Sequence, residues 1–214
     1  LKINEQEELN TTKEQEELKT NEQKVQELKK LITKNVSEIL VACNALGVTD
    51  EEALANTPRR VAKAFVDEFL CGYTENPEEI LRPVFEAKYD ELVIVKNIEF
   101  WSLCQHHLLP FYGEAFIGYI PTGKVVGLSK LARLVHCFSR RLQLQETLTQ
   151  QIADAIQETL QPLGAGVIIE ATHSCMSARG VKASGAKTVT SVLTGVLRDN
   201  TNQARREFLS LIRE

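Results

Sequence analysis

The chain predicts an α+β fold, a helical N-terminal region followed by strands and helices in the order β-β-α-α-β-β. Three observations carry this. Apolar residues recur at helical spacing through the first third of the chain. Two short β-rich runs then precede a pair of amphipathic helical patterns, and two more β-rich runs follow that pair. Strands grouped on either side of a helix pair suit an α+β sheet rather than a parallel, doubly wound one.

The elements follow in order. Residues 1–20 are polar, with EQEEL at Glu5 and again at Glu14, and read as a solvated tail. A helical region spans 21–90. Val25, Leu28, Leu31, Ile32, Ile39 and Leu40 mark its first helix, with Gly47 as the stop. NTPRRVAKAF predicts a second helix with Thr57 as N-cap and Pro58 at the first position. Asn76 and Pro77 repeat that start signal. From 91 to 214 the chain predicts one α+β domain. Its strands are LVIVKNIEF, GEAFIGYIP, GAGVIIEATH and KTVTSVLTGVL. Its helices are GLSKLARLVHCFSRR, capped by Ser129, then QETLTQQIADAIQETL, buried along Leu148, Ile152, Ile156 and Leu160, and a closing QARREFLSLIRE. GYIPTGKV fits G-x-x-x-x-G-K but ends in Val125 where a phosphate loop needs a hydroxyl for magnesium, and it lies between strands; it reads as a hairpin turn.

A composition of 43% hydrophobic and 25% charged residues in 214 supports a real core. The net charge of -4 gives no general attraction to nucleic acid or anionic membrane, so a polyanionic ligand requires a local cationic cluster. No apolar run is long enough to span a membrane, and the start lacks a signal peptide's apolar core. Five scattered cysteines do not form a disulfide framework. A reducing cytoplasm is the expected compartment, with thiolates free to bind metal.

Three of the four histidines and two of the five cysteines fall in two windows, WSLCQHHLLPFYG and EATHSCMSARG. Cys104 and His107 have the C-x-x-H spacing of zinc ligands. His173 and Cys175, two apart at the predicted end of a strand, would leave it on one side. A closed structural site would use two Cys and two His. A catalytic site would use three ligands and keep the spare histidines for proton transfer, and the spacing leaves both open. Cys43, Cys71 and Cys137, among apolar helical neighbours, read as small buried hydrophobes.

These windows, with GLSKLARLV, RRLQLQETLTQQIADAI and NTPRRVAKAF, resemble the signature blocks of the GTP cyclohydrolase I family over about residues 25–214. The resemblance implies a tunnelling fold, assembled into rings, typically a homodecamer with active sites between subunits. It implies conversion of GTP to 7,8-dihydroneopterin triphosphate and formate, the entry to pterins and tetrahydrofolate. A non-catalytic pterin- or nucleotide-binding subunit with a structural zinc is the alternative. By the same resemblance Cys104, His107 and Cys175 hold Zn2+, His106 and His173 act as acid and base, and Ser129 serves the ribose rearrangement. Glu146 reads guanine, with Gln145 beside it in the pocket. Lys130, Arg133, Arg179, Arg60 and Lys63 meet the triphosphate, while Arg140, Arg141, Lys182 and Lys187 remain surface charges. Glu146 and Cys175 are expected on adjoining chains. One departure stands out: Gln105 lies where the family commonly has an acid, which should make a zinc-bound water somewhat more acidic.

Overall fold

The computed structural model describes residues 20–47 and 50–213, so the expected tail over 1–20 lies almost wholly outside the described residues. The chain divides into two compact units, one up to Glu68 and one from Phe69.

The first unit is a pair of helices, α1 (Asn21–Asn44) and α2 (Glu51–Ala64). A capping box closes the start of α1, where Thr20 accepts from the Gln23 N–H and the Gln23 side chain accepts from the Thr20 N–H. Gly47 follows α1 with φ +73°, a left-handed position that glycine takes without a steric penalty. The α2 start differs from expectation. Asp50, not Thr57, is the N-cap, and Pro58 lies inside the helix. Asp50 accepts from the Ala53 N–H at 2.7 Å and so nucleates the helix two turns earlier. Arg60 pairs with Glu52 at 2.7 Å within this unit.

The second unit begins with a 3-10 turn (Cys71–Thr74), followed by the short helix α3 (Pro77–Ile80), capped by Asn76 as the sequence predicts. Strand β1 (Val84–Glu86) pairs with β4 (Lys124–Val126) in a small separate sheet. The turn at Gly123 therefore joins two sheets and is not a hairpin, because β4 turns away from the strand before it. The main sheet holds β2 (Val93–Cys104), β3 (Pro110–Ile120), β5 (Leu142–Gln143), β6 (Gly164–His173) and β7 (Thr188–Leu193), in the order β5-β2-β3-β6-β7. All neighbours are antiparallel except β5, which runs parallel to the end of β2. A bulge in β2 is taken up at Asn97, whose φ of +55° suits asparagine.

Helices α4 (Leu128–Ser139) and α5 (Gln145–Leu160) fall between the strand pairs in sequence and share a core with the sheet. Leu148, Ile152, Ile156 and Leu160 are fully buried with Phe111, Ile117, Val167 and Ile169, each apolar side chain contributing about 1.5–3 kcal/mol by burial. Ser129 sits in the first turn of α4, not at its cap, which is Gly127 and supplies no side-chain bond. Arg141 is not a plain surface charge: its Nε donates to the Gly72 and Cys137 carbonyls and its guanidinium lies over Tyr73 and Phe138.

After β6 come the single turn α6 (Ser174–Ser177) and, beyond β7, α7 (Gly195–Arg198) and α8 (Gln203–Arg213). The strand predicted through Leu197 stops at Leu193, because Gly195 turns the chain with φ +50°. Phe208 of α8 is fully buried over Gly118 and Gly166, paired in adjacent strands; a Cβ on either would stand 2.6 Å from its ring. These positions alternate with Ile117 and Val167, so α8 covers the sheet face opposite α4 and α5. Toward the other end of that face Trp101 stacks on Tyr112 at 4.4 Å, and both remain exposed.

Candidate active site

Strand register brings the two chemical windows together. Cys104 ends β2 opposite Gln143, so the start of α5 at Gln145 follows directly beside it. Phe111 of β3 pairs with His173, the last residue of β6. The functional side chains thus converge where the strands finish.

Cys104 closes a tight turn. The N–H groups of His107 and Leu108 both donate to its carbonyl, at 3.2 and 2.8 Å, and Leu108 takes a left-handed φ of +53°. A non-glycine residue there stores roughly 1–3 kcal/mol of strain, a common feature of functional turns. The turn swings His107 back until its Nδ1 is 3.7 Å from the Cys104 Sγ. Cys175 supplies the third group, and the ligand atoms of Cys104, His107 and Cys175 all lie within 4.8 Å of one another. Two thiolates on one tetrahedral zinc stand about 3.8 Å apart, so small side-chain adjustments suffice. Burial, and then the neighbouring Cys104, push the Cys175 thiol up; Arg179 partly opposes this. A bound cation would relieve the crowding of two thiolates, and a donor set of two sulfurs and one imidazole nitrogen suits a borderline-soft metal.

His106 and His173 stand outside this group of three among the described residues. For His173 the reason is local. The strand ends at His173 and Cys175 lies within α6, so the alternation of a strand, expected to send both side chains one way, does not apply. Residues two apart on a helical turn face different directions. His173 instead stacks on Phe111, with centroids 4.7 Å apart and planes 2° from parallel, and its Nε2 lies 2.7 Å from the Gln145 Oε1. Burial holds its imidazole below the usual range, and the nearby Glu146 carboxylate opposes that shift. His106 is exposed, edge-on to His107 at 6.2 Å.

Glu146 is exposed in the first turn of α5, where the helix dipole favours a carboxylate. Within one chain Glu146 follows Gln145, which meets His173, so Glu146 and Cys175 stand at the same end of one sheet. Gln145 is buried and fully hydrogen-bonded. Arg179 follows α6, and Ser129, Lys130 and Arg133 occupy the first two turns of α4. Arg60 and Lys63 belong to α2 of the first unit. Of the cysteines expected to be buried, Cys137 is, while Cys43 and Cys71 are half-exposed. Sequence reasoning missed Phe111, Thr149 and Thr190, which support His173 and Gln145 through pairings distant in sequence and carry no local motif.

The family model for GTP cyclohydrolase I matches residues 32–213. The chain belongs to that family. The GTP cyclohydrolase 1 of Thermobifida fusca is 50% identical over 183 residues, covering 85% of this chain and 86% of the relative. Those of Chlorobium phaeovibrioides and Wolinella succinogenes are each 53% identical, over 166 and 163 residues. They cover 77% and 76% of this chain, and 73% and 86% of their own lengths. A solved structure, the apo archaeosine synthase QueF-Like, overlays 50% of the chain and 97% of its own at 19% identity and TM-score 0.43, too little to argue from.

Proposed function

We propose that this chain hydrolyses GTP to 7,8-dihydroneopterin triphosphate and formate, the opening step of pterin and tetrahydrofolate synthesis. The observation that carries the reading is the three-donor group of Cys104, His107 and Cys175 beside His173 and Glu146, in a chain of this family. Three donors with no fourth His, Cys, Asp or Glu among the described residues leave a position free, as catalysis requires. The ion we assign is zinc, which when bound lowers the pKa of a coordinated water and so supplies a nucleophile near neutral pH.

The chain's own groups do the rest. His106 and His173 move protons to and from the purine nitrogens as the imidazole ring opens at C8. Glu146 offers two acceptor oxygens to the guanine N1–H and exocyclic amine, a donor pair that adenine lacks on that edge. Lys130, Arg133 and Arg179, joined by Arg60 and Lys63, neutralise the triphosphate. The start of α4 suits this role, because no side chain caps its first N–H groups. Ser129, exposed in the same turn, is assigned to the ribose rearrangement. Gln105 leaves the ligand set intact and is proposed to alter only rate and pH optimum.

The catalytic domain is assigned to 91–214, behind the helical region 21–90, in a tunnelling fold working as a cytoplasmic homo-oligomeric ring. The uncovered Trp101, Tyr112 and Val189 on the outer sheet face, 55%, 41% and 60% exposed, support self-association. Among the described residues no helix is long and apolar enough to cross a membrane. The test is anaerobic incubation of zinc-loaded protein with GTP, following formate and a dihydropterin chromophore. Zinc retained at one equivalent with no formate would instead indicate a binding subunit.

A further inference from the structure

We propose that Gln145 is a positioning residue, which holds His173 as the Nε2–H tautomer and leaves Nδ1 as the only ring nitrogen open to substrate. This rests on the assignment of His173 to proton transfer, but its central claim is testable without turnover.

The argument follows the direction of each hydrogen bond. Thr149 Oγ1 lies 2.7 Å from the Gln145 carbonyl, which only accepts, so the hydroxyl donates there. Its proton is thereby committed, and the 2.6 Å contact with Thr190 Oγ1 must be donated by Thr190. Thr190 Oγ1 can then only accept from the Gln145 side chain, 3.1 Å away. On the same side of the carboxamide lie the Ile169 and Thr188 carbonyls, both at 3.0 Å and both acceptors. Three acceptors around one end of the amide require it to be the NH2 end, so the flipped orientation would set oxygen against oxygen three times. The Oε1 therefore faces His173, and at 2.7 Å the His173 Nε2 must carry the proton that it accepts. Gln145 is 2% exposed and Thr149 fully buried, so water does not compete for these bonds. Phe111, stacked parallel to the imidazole, fixes the ring plane.

The arrangement explains why a glutamine occupies the position next to Glu146. A glutamate would put a buried carboxylate against two carbonyls, and a hydrophobe would leave the imidazole Nε2–H without its acceptor. It also separates two neighbours in sequence: Glu146 faces solvent, while Gln145 turns inward and acts through His173.

The experiment is long-range nitrogen–proton NMR on zinc-loaded enzyme with 15N-labelled histidine rings, the His173 signals assigned by their loss in His173→Ala. The expected spectrum has a protonated Nε2 and a bare Nδ1 for His173, and a dominant Nδ1–H form overturns the proposal. In Gln145→Leu a mixture of tautomers is expected. GTP turnover at saturation should fall about tenfold or more, the usual loss when an outer partner of a catalytic group is removed. KM for GTP and preference over ATP should stay within about twofold. A raised KM with unchanged kcat would make Gln145 a substrate contact and overturn the positioning role. Should Gln145→Leu fail to fold, Thr190→Val removes one brace without touching the ring, and the wild-type spectrum decides alone. A correct tautomer in a protein that releases no formate would refute the enzymatic reading and leave the geometry standing.

Discussion

Replacing Cys175 by serine tests the proposed metal centre at the candidate ligand most remote in sequence. Cys104 and His107 belong to one turn, whereas Cys175 comes from the helical turn that follows β6, so this substitution opens the group without disturbing the first turn. Serine is compatible with α6, which already begins and ends with serine, so the fold should be retained. Structural zinc sites bind with about 10–16 kcal/mol over four ligands, or roughly 2.5–4 kcal/mol for each. Losing one thiolate should thus weaken zinc about 100- to 1,000-fold, at 1.4 kcal/mol per tenfold. The neutral hydroxyl replaces little of this. The assay is competition for zinc against a chelator of known affinity, read by metal analysis after desalting, with formate release in parallel. Cys43→Ser, a substitution in the first unit, is the control and should keep both. Stoichiometric zinc with normal formate release in Cys175→Ser would refute the assignment of the centre.

Replacing His106 or His173 by Ala should leave zinc bound while slowing formate release about a hundredfold or more; zinc lost from His106→Ala would point to a closed four-ligand site. Glu146→Gln presents an NH2 group to guanine donors, and should cut kcat/KM for GTP about a hundredfold while narrowing its advantage over inosine triphosphate; an unchanged ratio would remove Glu146 from base recognition. Arg133→Ala should raise KM for GTP about tenfold or more without altering base choice, an effect that shrinks with added salt. Burial lowers the His173 pKa on folding, so below the usual imidazole value of about 6.5 the unfolded chain binds more protons than the native one. The stability tied to the neutral ring is therefore complete above that value and falls as pH drops toward the folded pKa. In urea unfolding of metal-free protein, His173→Gln should lose less stability than wild type between about pH 7.5 and 5.5; equal losses would contradict the shift.

The sequence by itself determined most of the helical and strand segments, and it brought out Cys104 and His107 as candidate ligands. The helical period of Leu148, Ile152, Ile156 and Leu160 predicted the buried face of α5, and all four are fully buried. Cys104 and His107 were legible because their spacing is closed by a single turn, which local chain geometry dictates. Where local signals competed, the sequence misled: Thr57-Pro58 carries a start signal, but Asp50 caps first and the helix runs on through the proline. Which of His173 and Cys175 closes on Cys104 and His107 was left open by their spacing, and tertiary structure brings Cys175 to them. Read as strand residues, His173 and Cys175 share a face; the chain leaves the sheet after His173, because its partner β3 begins at Pro110, which has no N–H to continue the ladder. The role of Gln145 was equally hidden. It depends on carbonyls from Ile169 and Thr188 and on the Thr190 hydroxyl, 24, 43 and 45 residues away. Such bonds exist only once β6 and β7 lie side by side under α5. Hydrogen-bond direction is a property of all the neighbours at once, and no local spacing encodes it.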